Sequence, residues 1–233
     1  MTIFLIHGWG GSKKSLTPLE KNLIIKGYKT INLELPGHGD TPEMNIPWNM
    51  KNFANWLESN IGETKDYILV GHSFGGKTII KSIIENITTP NKIVLIDTNG
   101  IQPRNSFKRK VWKLIAKLKV LLKVFPFSEK IKYFVYRYII GEVDYYKTKD
   151  KKNLRASFQI FNDEHFDDRI NEINCPTLII WGKNDLVTPL WMGRKLKSKI
   201  KNSKLEVLEG THGVPLESPV EVANIIHNFI QND

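Results

Sequence analysis

The stretch Gly71-His72-Ser73-Phe74-Gly75-Gly76 follows a short apolar run at residues 67–70 and precedes an amphipathic run. It has the form G-x-S-x-G, which in that context places a serine on a sharp turn between a strand and a helix. Glycines two residues before and two residues after the serine leave room for the strand and the helix to approach each other. The pattern predicts a strained Ser73 whose hydroxyl projects at the start of a helix, where the positive helix end favours a developing negative charge.

Apolar runs that alternate with helical segments extend on both sides of this turn. Buried-strand patterns fall at six places, which are residues 3–6, 29–35, 67–70, 93–96, 177–181 and 204–208. This alternation predicts an α/β fold with one parallel sheet of about six strands and helices on both faces. Helix starts are predicted at Thr17-Pro18, Thr188-Pro189 and Ser218-Pro219, where a capping residue precedes a proline.

The alternation stops between residues 100 and 170, where lysine-rich and aromatic helical segments take over. We therefore expect a core domain made of residues 1–99 and 171–233, with residues 100–170 inserted as a helical lid. Residues 104–152 contain 15 Lys and Arg against 4 Asp and Glu, so this segment accounts for the formal net charge of +10. Apolar residues between 111 and 125 share one helical face, which fits a cover over the active-site cleft or a contact with an anionic membrane. We favour the cover, because every helical lid must be amphipathic.

A serine needs a general base to act as a nucleophile at neutral pH. His212 lies between a Gly-Thr pair and Gly213 after the last predicted strand, where an imidazole could be oriented freely. Two aspartates at strand ends compete to orient that imidazole, Asp185 after the fifth strand and Asp97 after the fourth. We favour Asp185, because it lies in the fuller motif Trp181-Gly182-Lys183-Asn184-Asp185 before a predicted capped helix.

Five segments together resemble the α/β-hydrolase superfamily, namely His7-Gly8-Trp9-Gly10, Leu35-Pro36-Gly37-His38-Gly39 and residues 71–76, 181–185 and 210–213. The nearest resemblance is to small lidded serine esterases, including carboxylesterases of the pimeloyl-ester type. It implies a triad of Ser73, His212 and Asp185, and an oxyanion hole formed by the backbone N–H groups of Trp9 and Phe74. It also implies cleavage of a carboxylic ester or thioester through an acyl-enzyme, with no cofactor and no metal.

This sequence departs from the family because it opens directly at the strand before His7, without the antiparallel strands that usually precede it. The substrate pocket is expected to include His72, Trp112, Tyr133 and Tyr136. Two other functions stay open, since the same fold and triad serve carbon–carbon bond hydrolases and ligand receptors with little turnover. A small or medium acyl ester is the expected substrate.

Several other classes of function lack support in the sequence. No phosphate-binding glycine loop follows a predicted strand, no His/Cys cluster has metal-binding spacing, and no nucleic-acid-binding motif accompanies the basic residues. The single cysteine, Cys175, is expected to be a small buried side chain. No segment has the pattern of a signal peptide or a spanning helix, so we expect a cytoplasmic protein.

Overall fold

A computed structural model describes residues 1–102 and 150–232 of the chain. The described residues form one six-stranded sheet with the strands β1 Thr2–Ile6, β2 Lys29–Leu33, β3 Tyr67–His72, β4 Lys92–Ile96, β5 Thr177–Gly182 and β6 Ser203–Leu208. The strand order is β2-β1-β3-β4-β5-β6, and every neighbouring pair is parallel. The α/β-hydrolase fold with a six-stranded sheet is therefore confirmed, and the carboxyl ends of all six strands lie along one edge.

Helices cover both faces of the sheet. They are α1 Thr17–Ile25, α2 Met50–Ile61, α3 Phe74–Ile84, α4 Lys152–Phe161, α5 Trp191–Lys199, α6 Val214–Glu217 and α7 Pro219–Gln231, with 3₁₀ turns at Lys13–Ser15 and Ile170–Glu172. Buried residues of α2, α3, α4 and α5 form the core on one face, and those of α1, α6 and α7 form the core on the other.

Strand β1 shows why this sequence forms the centre of the sheet. All five of its residues are buried, and successive side chains enter opposite cores. Ile3 and Leu5 pack against α1 and α7, whereas Phe4 and Ile6 pack on the other face. A strand that is covered on both faces needs apolar residues throughout, which is the pattern that predicted it.

Within the described residues the predicted strands and helices are present, but two predicted helix caps are wrong. Helix α1 has Leu16 at its N-cap, and no side chain caps its first turn. Helix α5 begins at Trp191 instead of after Thr188, whose hydroxyl bonds elsewhere. Ser218 does occupy the N-cap of α7, although its side chain makes no capping hydrogen bond. The hydroxyl of Thr17 instead bonds back to the Lys13 carbonyl, and that of Thr188 bonds to the Asp185 carboxylate.

The predicted lid lies largely outside the described residues, as does the basic amphipathic segment of residues 111–125. Its described end contains α4, which packs Leu154 and Phe161 into the core. The hydroxyl of Ser157 accepts a hydrogen bond from the Trp48 amide at 2.7 Å. Helix α4 is thus fixed to the core of the protein. Among the described residues, no helix combines the length and the apolar character needed to cross a bilayer.

Candidate active site

Ser73 lies on the turn between β3 and α3, in the left-handed region of backbone conformation, with φ 53° and ψ −113°. Its amide donates to the carbonyl of Ile96 at 2.9 Å, which holds the turn against the end of β4. The flanking glycines are required by contact: a Cβ on Gly71 would lie 2.5 Å from the amide nitrogen of Gly76, and one on Gly75 would lie 2.2 Å from the carbonyl of Ile6. The sequence predicted this strained turn, and the structure contains it.

Of the three residues predicted to form a triad, His212 lies within hydrogen-bond distance of both Asp185 and Ser73. Nδ1 of His212 is 2.8 Å from Oδ2 of Asp185, and Nε2 of His212 is 3.0 Å from Oγ of Ser73. Because an ionised carboxylate can only accept, Nδ1–H of His212 donates to Asp185. Nε2 is then left as the acceptor for the Ser73 hydroxyl, which is the arrangement a general base requires.

Four hydrogen bonds hold the carboxylate of Asp185. Besides the imidazole, Oδ2 accepts from the Thr188 hydroxyl at 2.7 Å, and Oδ1 accepts from the amides of Val187 and Thr188 at 2.7 and 2.9 Å. Burial alone would raise the pKa of Asp185, but the bonds from His212 and Thr188 outweigh burial and lower it. Asp185 is therefore ionised at neutral pH. Thr188 therefore belongs to the site. The sequence predicts its hydroxyl as a helix cap, because the bond to Asp185 cannot be seen in the local pattern.

Asp97, the competing aspartate, lies beside the same imidazole without bonding to it. It is fully buried and has φ 45°. Its Oδ1 accepts from the Gly182 amide at 2.8 Å, while Oδ2 has no hydrogen-bond partner among the described residues. Burial raises the pKa of Asp97 to about 7, and the nearby Asp185 carboxylate adds to the rise against the effect of the Gly182 bond.

His72 connects the nucleophile turn to the loop of the base. Its Nε2 lies 2.7 Å from the carbonyl oxygen of His212, to which it donates. Burial lowers the pKa of His72 to about 3, so its ring is neutral at neutral pH. His72 was predicted to line the substrate pocket. Its one observed polar bond holds the His212 loop, and its contact with substrate stays a prediction.

The backbone amides of Trp9 and Phe74 are candidates for an oxyanion hole. Phe74 is the first residue of α3, so its amide has no partner within the helix. The turn that carries Trp9 lies against the nucleophile, since a Cβ on Gly8 would be 3.2 Å from Cβ of Ser73. Both amides therefore belong to backbone segments next to Ser73, where an oxyanion would form.

The side chain of Trp9 is buried in an aromatic cluster beneath the site. Its ring packs edge-on against Phe53, Phe74, Phe161 and His38, with ring centroids 4.7 to 5.9 Å apart. The other predicted pocket residues, Trp112, Tyr133 and Tyr136, lie outside the described residues.

His72, Asp97 and His212 also place possible metal-ligand atoms within 4.8 Å of one another. The ring nitrogens of His212 already contact Asp185 and Ser73, and Nε2 of His72 is bonded to the His212 carbonyl. A metal ion held by these three residues would displace those hydrogen bonds. The donor set therefore fits an acid–base site better than a metal site.

Sequence comparison identifies the family of this chain. A profile of the Alpha/beta hydrolase family matches residues 3–225, almost the whole length. The chain belongs to the alpha/beta hydrolase family. The structure agrees, because the six-stranded parallel sheet and the nucleophile turn lie within the matched residues.

Relatives within the family differ in the reaction that their names describe. The chain is 25% identical over 255 residues to the uncharacterized hydrolase YugF of Bacillus subtilis, covering 99% of this chain and 90% of that protein. It is 24% identical to the 2-hydroxy-6-oxononadienedioate/2-hydroxy-6-oxononatrienedioate hydrolase of Escherichia coli, covering 98% and 86%. An esterase of Exiguobacterium antarcticum shares the fold, with a TM-score of 0.76 and 21% identity over 99% of this chain and 92% of that chain. These comparisons support a hydrolase and leave open which bond is cleaved.

Proposed function

We propose that this protein is a serine hydrolase that cleaves a carboxylic ester or thioester, with Ser73 as nucleophile, His212 as general base and Asp185 as the orienting acid. The observation that carries the proposal is the continuous chain of hydrogen bonds from Asp185 through His212 to Ser73. A neutral imidazole between an ionised carboxylate and a strained serine is prepared to accept the hydroxyl proton.

The reaction follows from this geometry in two stages. Nε2 of His212 takes the proton as Oγ of Ser73 attacks the carbonyl carbon, and the amides of Trp9 and Phe74 donate to the resulting oxyanion. His212 then returns the proton to the leaving alcohol or thiol, which leaves an acyl group on Ser73. A water molecule, deprotonated by the same nitrogen, hydrolyses the acyl-enzyme and restores Ser73.

Cleavage of a carbon–carbon bond is the second candidate, because the relative from Escherichia coli is named for a hydroxy-oxo-dienedioate substrate. The same three residues could serve that reaction, so the site geometry fits both. We favour the ester because it needs nothing beyond the triad and the oxyanion hole. A receptor with little turnover is the weakest candidate, since such a protein gains nothing from an aligned base.

We further propose that the substrate is presented at an anionic membrane surface. Residues 104–152 carry the excess positive charge, which would attract acidic lipid headgroups. The segments that directly follow the acid and the base also expose apolar side chains, with Leu186 92%, Val187 60% and Leu216 54% exposed. Charge and apolar contact together are the two contributions that peripheral membrane binding requires. The cytoplasmic location stays a prediction.

A series of p-nitrophenyl esters of rising acyl length tests the proposal. Wild type should hydrolyse at least one ester with a burst of nitrophenol, and Ser73→Ala should lose at least about 10³-fold in kcat/KM. Ser59→Ala is the matched control, because Ser59 is exposed on α2 and bonds only to the Trp56 carbonyl. It should match wild type.

The same preparations are then given 2-hydroxy-6-oxononadienedioate. Turnover of this compound that depends on Ser73, without turnover of any ester, would replace the ester proposal with carbon–carbon cleavage. Equal activity of wild type and Ser73→Ala on both substrates would reject a Ser73 mechanism. Vesicles of phosphatidylglycerol should raise the ester rate more than vesicles of phosphatidylcholine, and equal rates would reject the membrane proposal.

A further inference from the structure

The active site contains two buried carboxyl groups beside one imidazole, and the proposed mechanism uses only one of them. Asp185 is bonded to His212, whereas Asp97 lies with its carboxyl oxygen within 4.8 Å of ring nitrogens of His212 and His72. A buried carboxyl oxygen without a partner is costly, so its persistence at this place calls for an explanation.

The backbone holds Asp97 in position firmly. Its amide donates to the Ile180 carbonyl at 3.0 Å, and its carbonyl oxygen lies 3.0 Å from the Thr188 hydroxyl oxygen. The preceding residue, Ile96, accepts from the Ser73 amide. The end of β4 thus contacts both the nucleophile turn and the acid loop. A non-glycine residue with φ 45° in this place is strained, and strain of this kind concentrates at functional sites.

The groups that face the Asp97 carboxyl come from three elements. Asp185 faces it from the loop after β5, His212 from the loop after β6 and His72 from the end of β3. Thr188 touches the Asp97 carbonyl, the Asp185 carboxylate and Nδ1 of His212, the last at 3.2 Å. Thr188 therefore connects the backbone of Asp97 to the Asp185 carboxylate, and the two carboxyl groups lie beside the same imidazole.

We propose that Asp97 is a second acid of the triad, a positioning residue whose carboxylate stabilises the protonated His212 together with Asp185 and takes over that role when Asp185 is removed. The proposal deepens the proposed function and rests on it. It is consistent with the raised pKa of Asp97, about 7, because such a carboxyl changes its charge in the pH range where His212 works.

The test combines Asp97→Asn, Asp185→Ala and the double variant. In wild type, Asp97→Asn should lower kcat by about threefold at pH 8, because Asp185 still holds the imidazole. In the Asp185→Ala background the same change should lower kcat by about tenfold or more, because no carboxylate remains. An equal factor in both backgrounds would overturn the proposal, since a merely structural role gives the same loss in each.

A second readout does not depend on turnover. NMR titration of the labelled His212 ring should show that Asp97→Asn lowers the midpoint by about 0.5–1 pH unit, because a nearby negative charge has been removed. The acid limb of kcat/KM should move in the same direction. A midpoint that changes by less than about 0.2 unit would reject the proposal.

The two readouts separate the failure of this proposal from that of the proposed function. Ester turnover that depends on Ser73, with an unmoved His212 midpoint, rejects Asp97 as the second acid and leaves the hydrolase intact. A shifted midpoint in a protein that cleaves no ester supports the Asp97–His212 coupling and rejects the esterase.

Discussion

The hydrogen bond from His72 to the carbonyl of His212 joins two residues that are 140 positions apart in sequence. One side chain next to the nucleophile therefore helps to hold the loop of the base. The bond is short, at 2.7 Å, and partly buried, so its loss would leave a carbonyl without this partner near the reacting atoms. The position of His212 should depend on it.

We expect His72→Ala to lower kcat by about tenfold with little change in KM, because His212 would lose its alignment with Ser73. His72→Gln keeps an N–H donor at similar reach and should recover most of the rate. Since burial lowers the pKa of His72 to about 3, the loss should be the same at every pH above about 5. Steady-state kinetics of both variants measures this, and equal losses in Ala and Gln would contradict it.

At the scale of single residues, the sequence predicted which side chains meet but not all that surrounds them. Ser73, Asp185 and His212 were predicted from strand ends and glycine context, and they lie in hydrogen-bond contact. The placement of Thr188 and the bond of His72 were missed. Both features depend on which distant segment of the chain packs beside the residue, and a local sequence pattern carries no information about such packing.

The turn after β1 is an element whose shape the nucleophile depends on. A Cβ on Gly8 would lie 3.2 Å from both Cβ of Ser73 and Nδ1 of His72, so a side chain there must push on the nucleophile turn. Gly62 offers the opposite case. It has φ 57°, and nothing lies within 4 Å of an added Cβ. Substitutions at these two glycines therefore distinguish the effect of crowding at the site from the effect of backbone strain far from the site.

Gly8→Ala should lower kcat by about tenfold or more while changing the free energy of unfolding by about 1 kcal/mol or less, because the neighbouring side chains must move by a few tenths of an ångström. Gly62→Ala should lower the free energy of unfolding by about 1 kcal/mol and leave kcat unchanged. Ester kinetics and urea unfolding on both variants check this. A reversed pattern would show that the Gly8 turn does not contact the nucleophile.

Elements were predicted well where burial alone determines them. The four inner strands of the sheet are covered on both faces, so their apolar runs mark them, as at β3 and β5. Helix starts were predicted less well, since Asn49 and Asn52 form the one capping box found among the described helices, and it was not anticipated. Asparagine pairs signal a cap weakly in sequence because they are equally common in turns.

For the molecule as a whole, a buried lysine ties the nucleophile helix to α4. Lys77 is 2% exposed, and its ammonium group donates to the carbonyl of Phe161 at 2.7 Å. Burial lowers its pKa to about 8. One turn further along α3, Lys81 forms ion pairs with Glu164 and Glu85, and these outweigh its partial burial and raise its pKa. The two lysines therefore have opposite effects on stability as pH changes.

Lys77 should make the free energy of unfolding rise as pH increases from about 8 to 10.5, because the unfolded chain then binds a proton that the folded chain does not. Lys77→Met should lack this rise, which amounts to about 1.4 kcal/mol per pH unit at most. Lys81→Met is the control. The ion pairs of Lys81 stabilise the folded protein until pH rises above about 10, so this variant should lack the fall in the free energy of unfolding that wild type shows there. Urea unfolding over this pH range measures both, and parallel curves for wild type and Lys77→Met would contradict the prediction.

Strands β4 and β5 pair directly, although 80 residues separate Ile96 from Thr177. Pairing them closes a long loop, and the entropy lost in closing it delays contacts of this kind during folding. Ser73 comes from the part of the chain before that loop, and Asp185 and His212 come from the part after it. The two halves of the site therefore meet only when the last strands join the sheet. In a refolding experiment, hydrolysis should recover more slowly than the helical circular dichroism signal. Enzymatic turnover would then report when the last strands have joined the sheet.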